Sequence, residues 1–149
     1  LSALLGSDLQ LIWQTGKYYY RKYAPLERKP AVQILDFIQR MDLLYAAADF
    51  IISRAGAGTI SELCLVGKPV IFIPSPNVAE DHQTKNAMAV VKKEAAILLK
   101  ETELDQLVQV VLKMKNDTEL QKLFMKNIKS LALPDATKDI VDEVMRLIE

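Results

Sequence analysis

The sequence predicts an α/β fold, a parallel sheet with helices on both faces. Three observations lead there. Short apolar runs recur between longer helical patterns over the first two thirds of the chain, the runs are apolar without strict alternation, and each stops at small, polar or proline residues. Strands separated by helices are joined by crossovers, which makes neighbouring strands parallel. A strand that is apolar on both sides is one buried on both sides.

The elements follow in chain order. Leu1-Ser2-Ala3-Leu4-Leu5-Gly6 reads as the last turn of an amphipathic helix closing on glycine, so the chain is expected to be a piece of a longer protein. It lacks the basic segment and cleavage site of a signal peptide. Strands are predicted at Leu9-Gln10-Leu11-Ile12-Trp13, Val32-Gln33-Ile34-Leu35, Phe50-Ile51-Ile52 and Val70-Ile71-Phe72-Ile73, with a weaker one at Ala95-Ala96-Ile97-Leu98-Leu99. Helices are predicted between them, at about 17–23, 40–48, 59–66 and 83–93. From Thr102 the pattern is helical only. Leu104, Leu107, Val108, Val111 and Leu112 form one stripe, followed by Leu120, Leu123, Phe124 and Ile128. Pro134 opens a last helix expected to turn Ile140, Val141, Val144, Leu147 and Ile148 inward. With no internal repeat or linker, residues 1–149 are expected to form one domain.

Composition narrows the function classes. Among 149 residues, 19 Lys and Arg balance 19 Asp and Glu, which argues against a nucleic-acid binder working through bulk charge. One cysteine cannot form an internal disulfide, no Cys/His cluster has zinc spacing, and a reducing cytoplasmic setting is expected. No apolar run approaches the roughly 20 residues that span a bilayer.

In open α/β sheets ligands bind beyond the carboxyl ends of strands, and two such junctions carry chemistry. The first is Ser53-Arg54-Ala55-Gly56-Ala57-Gly58-Thr59-Ile60-Ser61-Glu62. Its glycines and alanines let a ligand approach the backbone, and a helix start offers N–H groups and partial positive charge to a phosphate. Thr59-x-x-Glu62 has the pattern of a capping box, the plainer reading of these residues. Glu62 could instead accept hydrogen bonds from a ribose diol. The second junction runs from Pro74 to Ala87, where a proline-stiffened loop leads into a helix. Gln83 and Asn86 are three apart and share a helix face, offering the neutral donors and acceptors that suit sugar hydroxyls. Asp81 could be that helix's cap, and His82 reads as an ordinary surface residue.

Other features read more plainly. Lys17-Tyr18-Tyr19-Tyr20-Arg21-Lys22-Tyr23 could touch a membrane surface or nucleic acid, but fits a helix with half-buried tyrosines and solvated cations. Cys64 reads as core. No Asp-x-Asp pair follows a strand to hold a divalent metal, and neither a Gly-x-Ser-x-Gly elbow nor a Walker sequence is present.

The stretch Ala48-Asp49-Phe50-Ile51-Ile52-Ser53-Arg54-Ala55-Gly56-Ala57-Gly58-Thr59-Ile60-Ser61-Glu62-Leu63 resembles a signature of the MurG family of bacterial N-acetylglucosaminyltransferases. Gly67-Lys68-Pro69-Val70-Ile71-Phe72-Ile73-Pro74, Asp81-His82-Gln83-Thr84-Lys85-Asn86-Ala87, Ile12-Trp13-Gln14-Thr15-Gly16-Lys17 and Pro134-Asp135-Ala136-Thr137 extend the resemblance over nearly the whole chain. It implies the Rossmann-like, donor-binding C-terminal domain of a metal-independent, inverting GT-B enzyme that converts lipid I to lipid II with UDP-N-acetylglucosamine in peptidoglycan synthesis. It also implies a peripheral location on the cytoplasmic side of the bacterial inner membrane, with no cofactor and no nucleic-acid partner. Ile38 would meet the uracil through its backbone. Ala57, Gly58, Thr59, Ile60, Ser61 and Glu62 would line the nucleotide, with Glu62 on the ribose, and Gln83 and Asn86 would reach the sugar hydroxyls. Arg54 would contact the donor or brace the loop. Gly58 departs from the leucine common in the family, which would loosen the loop. The resemblance assigns no catalytic residue to this chain. The acceptor lipid I, the general base and the membrane patch would belong to an N-terminal domain, and a Gly-Gly-Ser phosphate loop would precede Leu1. A donor-binding subunit of a split dolichol-linked N-acetylglucosaminyltransferase would carry a similar motif, and a non-catalytic UDP-sugar-binding module is the alternative outside enzymes.

Overall fold

The computed structural model describes residues 8–76 and 81–148, so the helix end expected over residues 1–6 lies outside the described residues. The chain divides into two compact units, Leu1–Leu44 and Tyr45–Glu149.

In the first unit β1 (Leu11–Gln14) and β2 (Val32–Leu35) pair in parallel, with Leu11 opposite Val32 and Gln14 opposite Leu35. The crossover is α1 (Gly16–Tyr23) and a 3₁₀ turn, Ala24–Leu26. Gly16 takes φ +75°, which suits a residue without a Cβ, and lets the chain leave β1 directly into the helix. Val32 and Ile34 are buried while Gln33 and Leu35 are only partly so, which marks one better-covered face of β2. The expected half-burial of the α1 tyrosines is not what forms. Tyr23 packs on Trp13 with ring centroids 4.7 Å apart, but Tyr18 is 88% exposed. Seven residues between Lys17 and Tyr23 make two turns of helix, and aromatic side chains placed all round it cannot all face one strand pair.

The helix α2 (Met41–Ala47) runs into the second unit. There β3 (Ile51–Ser53), β4 (Val70–Phe72) and β5 (Ala96–Leu98) form a parallel sheet in that order. Ile51 lies opposite Val70, which lies opposite Ala96. Val70, Ile71 and Phe72 are all fully buried. Successive residues point to opposite faces, so this central strand is covered on both, as its unalternated sequence predicts. Each such side chain contributes about 1.5–3 kcal/mol by leaving water.

The crossover helices are α3 (Ala57–Val66) and α4 (His82–Val91). They bring Leu63, Cys64, Ala87 and Val90 into one core with Val70, Phe72 and Ala96. α3 stops at Gly67, whose φ of +71° and N–H bond to the Leu63 carbonyl (3.0 Å) make a left-handed cap. A 3₁₀ turn, Glu101–Gln106, then precedes α5 (Leu107–Asn116), α6 (Thr118–Ser130) and α7 (Ala136–Ile148). Of the two predicted stripes, Val111, Phe124 and Ile128 are buried while Leu104 and Leu123 are exposed. The Asp117 carboxylate caps α6 by accepting from the Leu120 N–H at 2.9 Å. The last helix corrects the sequence reading. Ile140, Val141, Val144, Leu147 and Ile148 are exposed, Leu147 to 78%, because amphipathic spacing defines a face without supplying what covers it.

Candidate functional site

The second unit gathers both junctions at the carboxyl ends of β3 and β4. After β3 the chain passes through Arg54, Ala55 and Gly56 into α3, whose N-cap is Gly56 with extended backbone (φ −64°, ψ 146°). The first intrahelical bond runs from the Ile60 N–H to the Gly56 carbonyl at 2.9 Å. The N–H groups of Ala57, Gly58 and Thr59 therefore lie ahead of it, at the positive end of the helix, and no side chain caps them. This excludes the capping box: Thr59 sits inside the first turn rather than at the N-cap. Gly58 is helical too, so it does not loosen a loop as the departure from leucine suggests. A Cβ there would meet nothing within 4 Å, and the residue stands in open space.

Glu62 lies one turn beyond Gly58 on the same face, about 6 Å further along the helix axis. It is exposed and accepts a 3.2 Å hydrogen bond on Oε2 from the Tyr45 hydroxyl. Burial, and then the nearby Glu62 carboxylate, push the Tyr45 phenol up to about 12, so the hydroxyl stays a donor through ordinary pH. Ile60 is partly buried, and Ser61 returns its hydroxyl to the Ala57 carbonyl at 3.2 Å.

The loops after β3 and β4 are fastened to each other. Gln83, in the first turn of α4, accepts on Oε1 from the Ser75 N–H (2.9 Å) and from the Ala55 N–H (3.3 Å). Asn86, one turn on, donates from Nδ2 to the Ala55 carbonyl at 3.3 Å. Both polar groups of the fully buried Ala55 are thus held by the two amides. Arg54 Nη1 donates to the carbonyls of Ile73 (3.0 Å) and Pro74 (3.2 Å), and Nη2 pairs with Glu101 at 2.5 Å. The brace is therefore the role of Arg54 that the geometry displays. Asp81 occupies the N-cap position of α4 with a left-handed φ of 55°, and its side chain makes no capping bond.

Ile38 belongs to the first unit, after β2, where its N–H donates to Gln14 Oε1 at 2.8 Å. Sequence reading missed Tyr45, Ser75 and Glu101. Glu101 had a signal, since it follows β5 at the same sheet edge as the other loops. Tyr45 had none, because its pairing with Glu62 is set by how α2 meets α3. Cys64 is buried as expected, and burial pushes its thiol up and leaves it unreactive.

Fold and site define a class: α/β proteins with a small-residue helix start beyond the carboxyl ends of parallel strands, the part of such sheets where ligands generally bind. Within it, the chain belongs to the family described as Glycosyltransferase family 28 C-terminal domain, whose profile matches residues 2–140. It is similar to the UDP-N-acetylglucosamine--N-acetylmuramyl-(pentapeptide) pyrophosphoryl-undecaprenol N-acetylglucosamine transferase of Flavobacterium psychrophilum, at 61% identity over 98% of this chain and 40% of that protein. The protein of the same name from Christiangramia forsetii is 55% identical over 99% of this chain and 40% of its own length. The chain thus spans about two fifths of the curated relatives it matches. Among solved structures, MurG of Acinetobacter baumannii superposes with a TM-score of 0.82 at 28% identity, covering 97% of this chain and 44% of that one. The glycosyltransferase VinC, in complex with dTDP, shares the fold at a TM-score of 0.73 and 16% identity, over 97% of this chain and 36% of its own. Among the described residues no helix is long and apolar enough to cross a membrane.

Proposed function

We propose that this chain is the donor-binding part of an inverting N-acetylglucosaminyltransferase that uses UDP-N-acetylglucosamine to convert lipid I into lipid II, at the cytoplasmic face of a bacterial membrane. The observation that carries the reading is the start of α3, where three backbone N–H groups precede the first helical bond without a side-chain cap and Glu62 stands one turn beyond. A diphosphate suits the amides and the helix dipole. The spacing sets the carboxylate beyond the phosphates, where a ribose diol can donate to it without like-charge repulsion. Residues Ala57 to Glu62 would line the nucleotide, and the amide nitrogen of Gln83, which takes no part in its two loop bonds, would meet a sugar hydroxyl beside Asn86.

In this reading the acceptor's own hydroxyl is the nucleophile and attacks the anomeric carbon in line with the departing UDP. The α3 amides stabilise the negative charge that develops on the leaving diphosphate. The residues of this chain bind and orient, and no proton transfer is assigned to them. The test supplies full-length protein with labelled UDP-N-acetylglucosamine and a lipid I analogue. Label in lipid II is the expected result. Donor binding without any transfer would leave a UDP-sugar-binding module in its place and overturn the enzyme reading.

A further inference from the structure

Glu62 stands on an exposed part of α3 with no cation beside it. Among the described residues it forms no ion pair, and the group bonded to its carboxylate is the Tyr45 hydroxyl, 3.2 Å from Oε2. A glutamate side chain is long and rich in rotamers, so on an exposed helix face its carboxylate is not held in one place. Tyr45 is its opposite. Its ring packs against the core that contains Leu63, Val70 and Phe72, and a tyrosine ring on a fixed backbone has only two torsions to set. The hydroxyl therefore reaches the surface of α3 at a fixed point. The fold has little need of the bond, because it lies at the surface, where water would serve both partners, and a phenylalanine would pack the same ring. The phenol is pushed up to about 12 by burial first and then by the carboxylate, so it remains a donor wherever Glu62 is charged.

We propose that Tyr45 is a positioning residue of the donor site, whose hydroxyl holds Glu62 Oε2 so that the carboxylate meets a ribose diol in one orientation. This role rests on the ribose contact proposed for Glu62. An ionised carboxylate accepts at about four lone-pair sites. Tyr45 takes one of them on Oε2, which leaves the second site of that oxygen and both sites of Oε1 for the hydroxyls of the sugar. Tyr45 itself need not touch the nucleotide. It fixes a flexible side chain before the ligand arrives, and ordering that is already complete in the free protein is not charged against binding.

The experiment titrates full-length protein by calorimetry with UDP and with 2′,3′-dideoxy-UDP, which lacks the diol. It compares wild type with Tyr45→Phe, Glu62→Ala and the double variant. Wild type is expected to prefer UDP. Tyr45→Phe keeps the ring, so its melting temperature is expected to stay close to wild type. Its Kd for UDP is expected to rise roughly 3- to 10-fold, the effect of having to order one flexible side chain on binding, while its Kd for dideoxy-UDP stays unchanged. Added to Glu62→Ala, the same substitution is expected to change neither Kd, because the hydroxyl has already lost its carboxylate. An unchanged Kd for UDP in Tyr45→Phe, beside a wild type that prefers UDP, would overturn the positioning role and leave the ribose contact of Glu62 standing. An equal loss for both nucleotides would also overturn it, since that is what a merely structural tyrosine would give. A wild type that binds neither nucleotide, or both alike, would overturn the ribose contact itself and the role of Tyr45 with it.

Discussion

Replacing Gln83 by alanine tests whether the two strand-end loops are one unit. Its Oε1 is the acceptor for two backbone N–H groups, Ser75 at 2.9 Å and Ala55 at 3.3 Å, and Ala55 is fully buried. Truncation leaves a buried donor without a partner, which costs about 1–3 kcal/mol, and the second lost bond adds about 0.5–1.5 kcal/mol. A destabilisation of about 1.5–4.5 kcal/mol is therefore expected in urea unfolding, as a lower midpoint at unchanged slope. Gln83→Glu separates the two proposed uses of the side chain. It keeps the oxygen that accepts both N–H bonds, so stability is expected to stay close to wild type, but it removes the amide nitrogen offered to the sugar. Its affinity for UDP is expected to hold while the preference for UDP-N-acetylglucosamine over UDP-glucose declines. A Gln83→Ala protein that unfolds at the wild-type midpoint would refute the clamp.

Five further outcomes are expected. Glu62→Gln should raise the Kd for UDP roughly 10- to 150-fold, the range for losing about 1.5–3 kcal/mol of hydrogen bonding to a charged group, with little change in stability, and calorimetry reads it. The same variant should bring the Tyr45 titration below its value of about 12 but leave it above the ordinary 10.0, since burial persists; phenolate absorbance follows it. Because the folded phenol holds its proton more tightly than the unfolded one, this residue's contribution to stability is complete below about pH 10 and disappears as pH rises to about 12, which unfolding curves across that window check. Gly58→Ala should stabilise by about 0.5–1 kcal/mol, because the site is helical and open, whereas Gly67→Ala should destabilise by about 1–2 kcal/mol, because φ is +71° and Lys129 Cδ is 3.4 Å from a Cβ; thermal melts compare them. The isolated 149-residue chain should show no transfer to a lipid I analogue, since no acceptor site or base is assigned to it.

The strands were legible for a physical reason. Val70-Ile71-Phe72 is apolar on consecutive positions because both faces of β4 are buried, and its shortness and flanking prolines mark it as a strand rather than a buried helix. The stops were legible where backbone chemistry forces them, as at Gly67. Periodicity carries less at the end of the chain. The spacing in α7 correctly gives a helix with one apolar face, yet burial is a property of two surfaces, and the second is not written in the first. The same limit applies to α1, where seven residues with four tyrosines suggest a half-buried helix and three of the four are exposed, Tyr18 the most.

At the site, residue types were legible and their bonds were not. Thr59 and Glu62 fit a capping box by spacing, but a box needs its first residue at the helix boundary, and the boundary is fixed three residues earlier by the extended backbone of Gly56. Small residues can be read as room for a ligand, whereas Gln83 and Asn86 read as sugar ligands or as part of a solvated helix start, and neither reading contains the loop clamp. Their contacts with Ala55 and Ser75 show why amides suit both tasks. An amide carries an acceptor and a donor on separate atoms, so Gln83 can hold two loop N–H groups with its oxygen and keep its nitrogen for something else. A carboxylate there could hold the loops but offer no donor, and an alanine could do neither. Loop order and sugar preference therefore depend on opposite ends of one side chain, which is why Gln83→Glu, rather than Gln83→Ala, tells them apart.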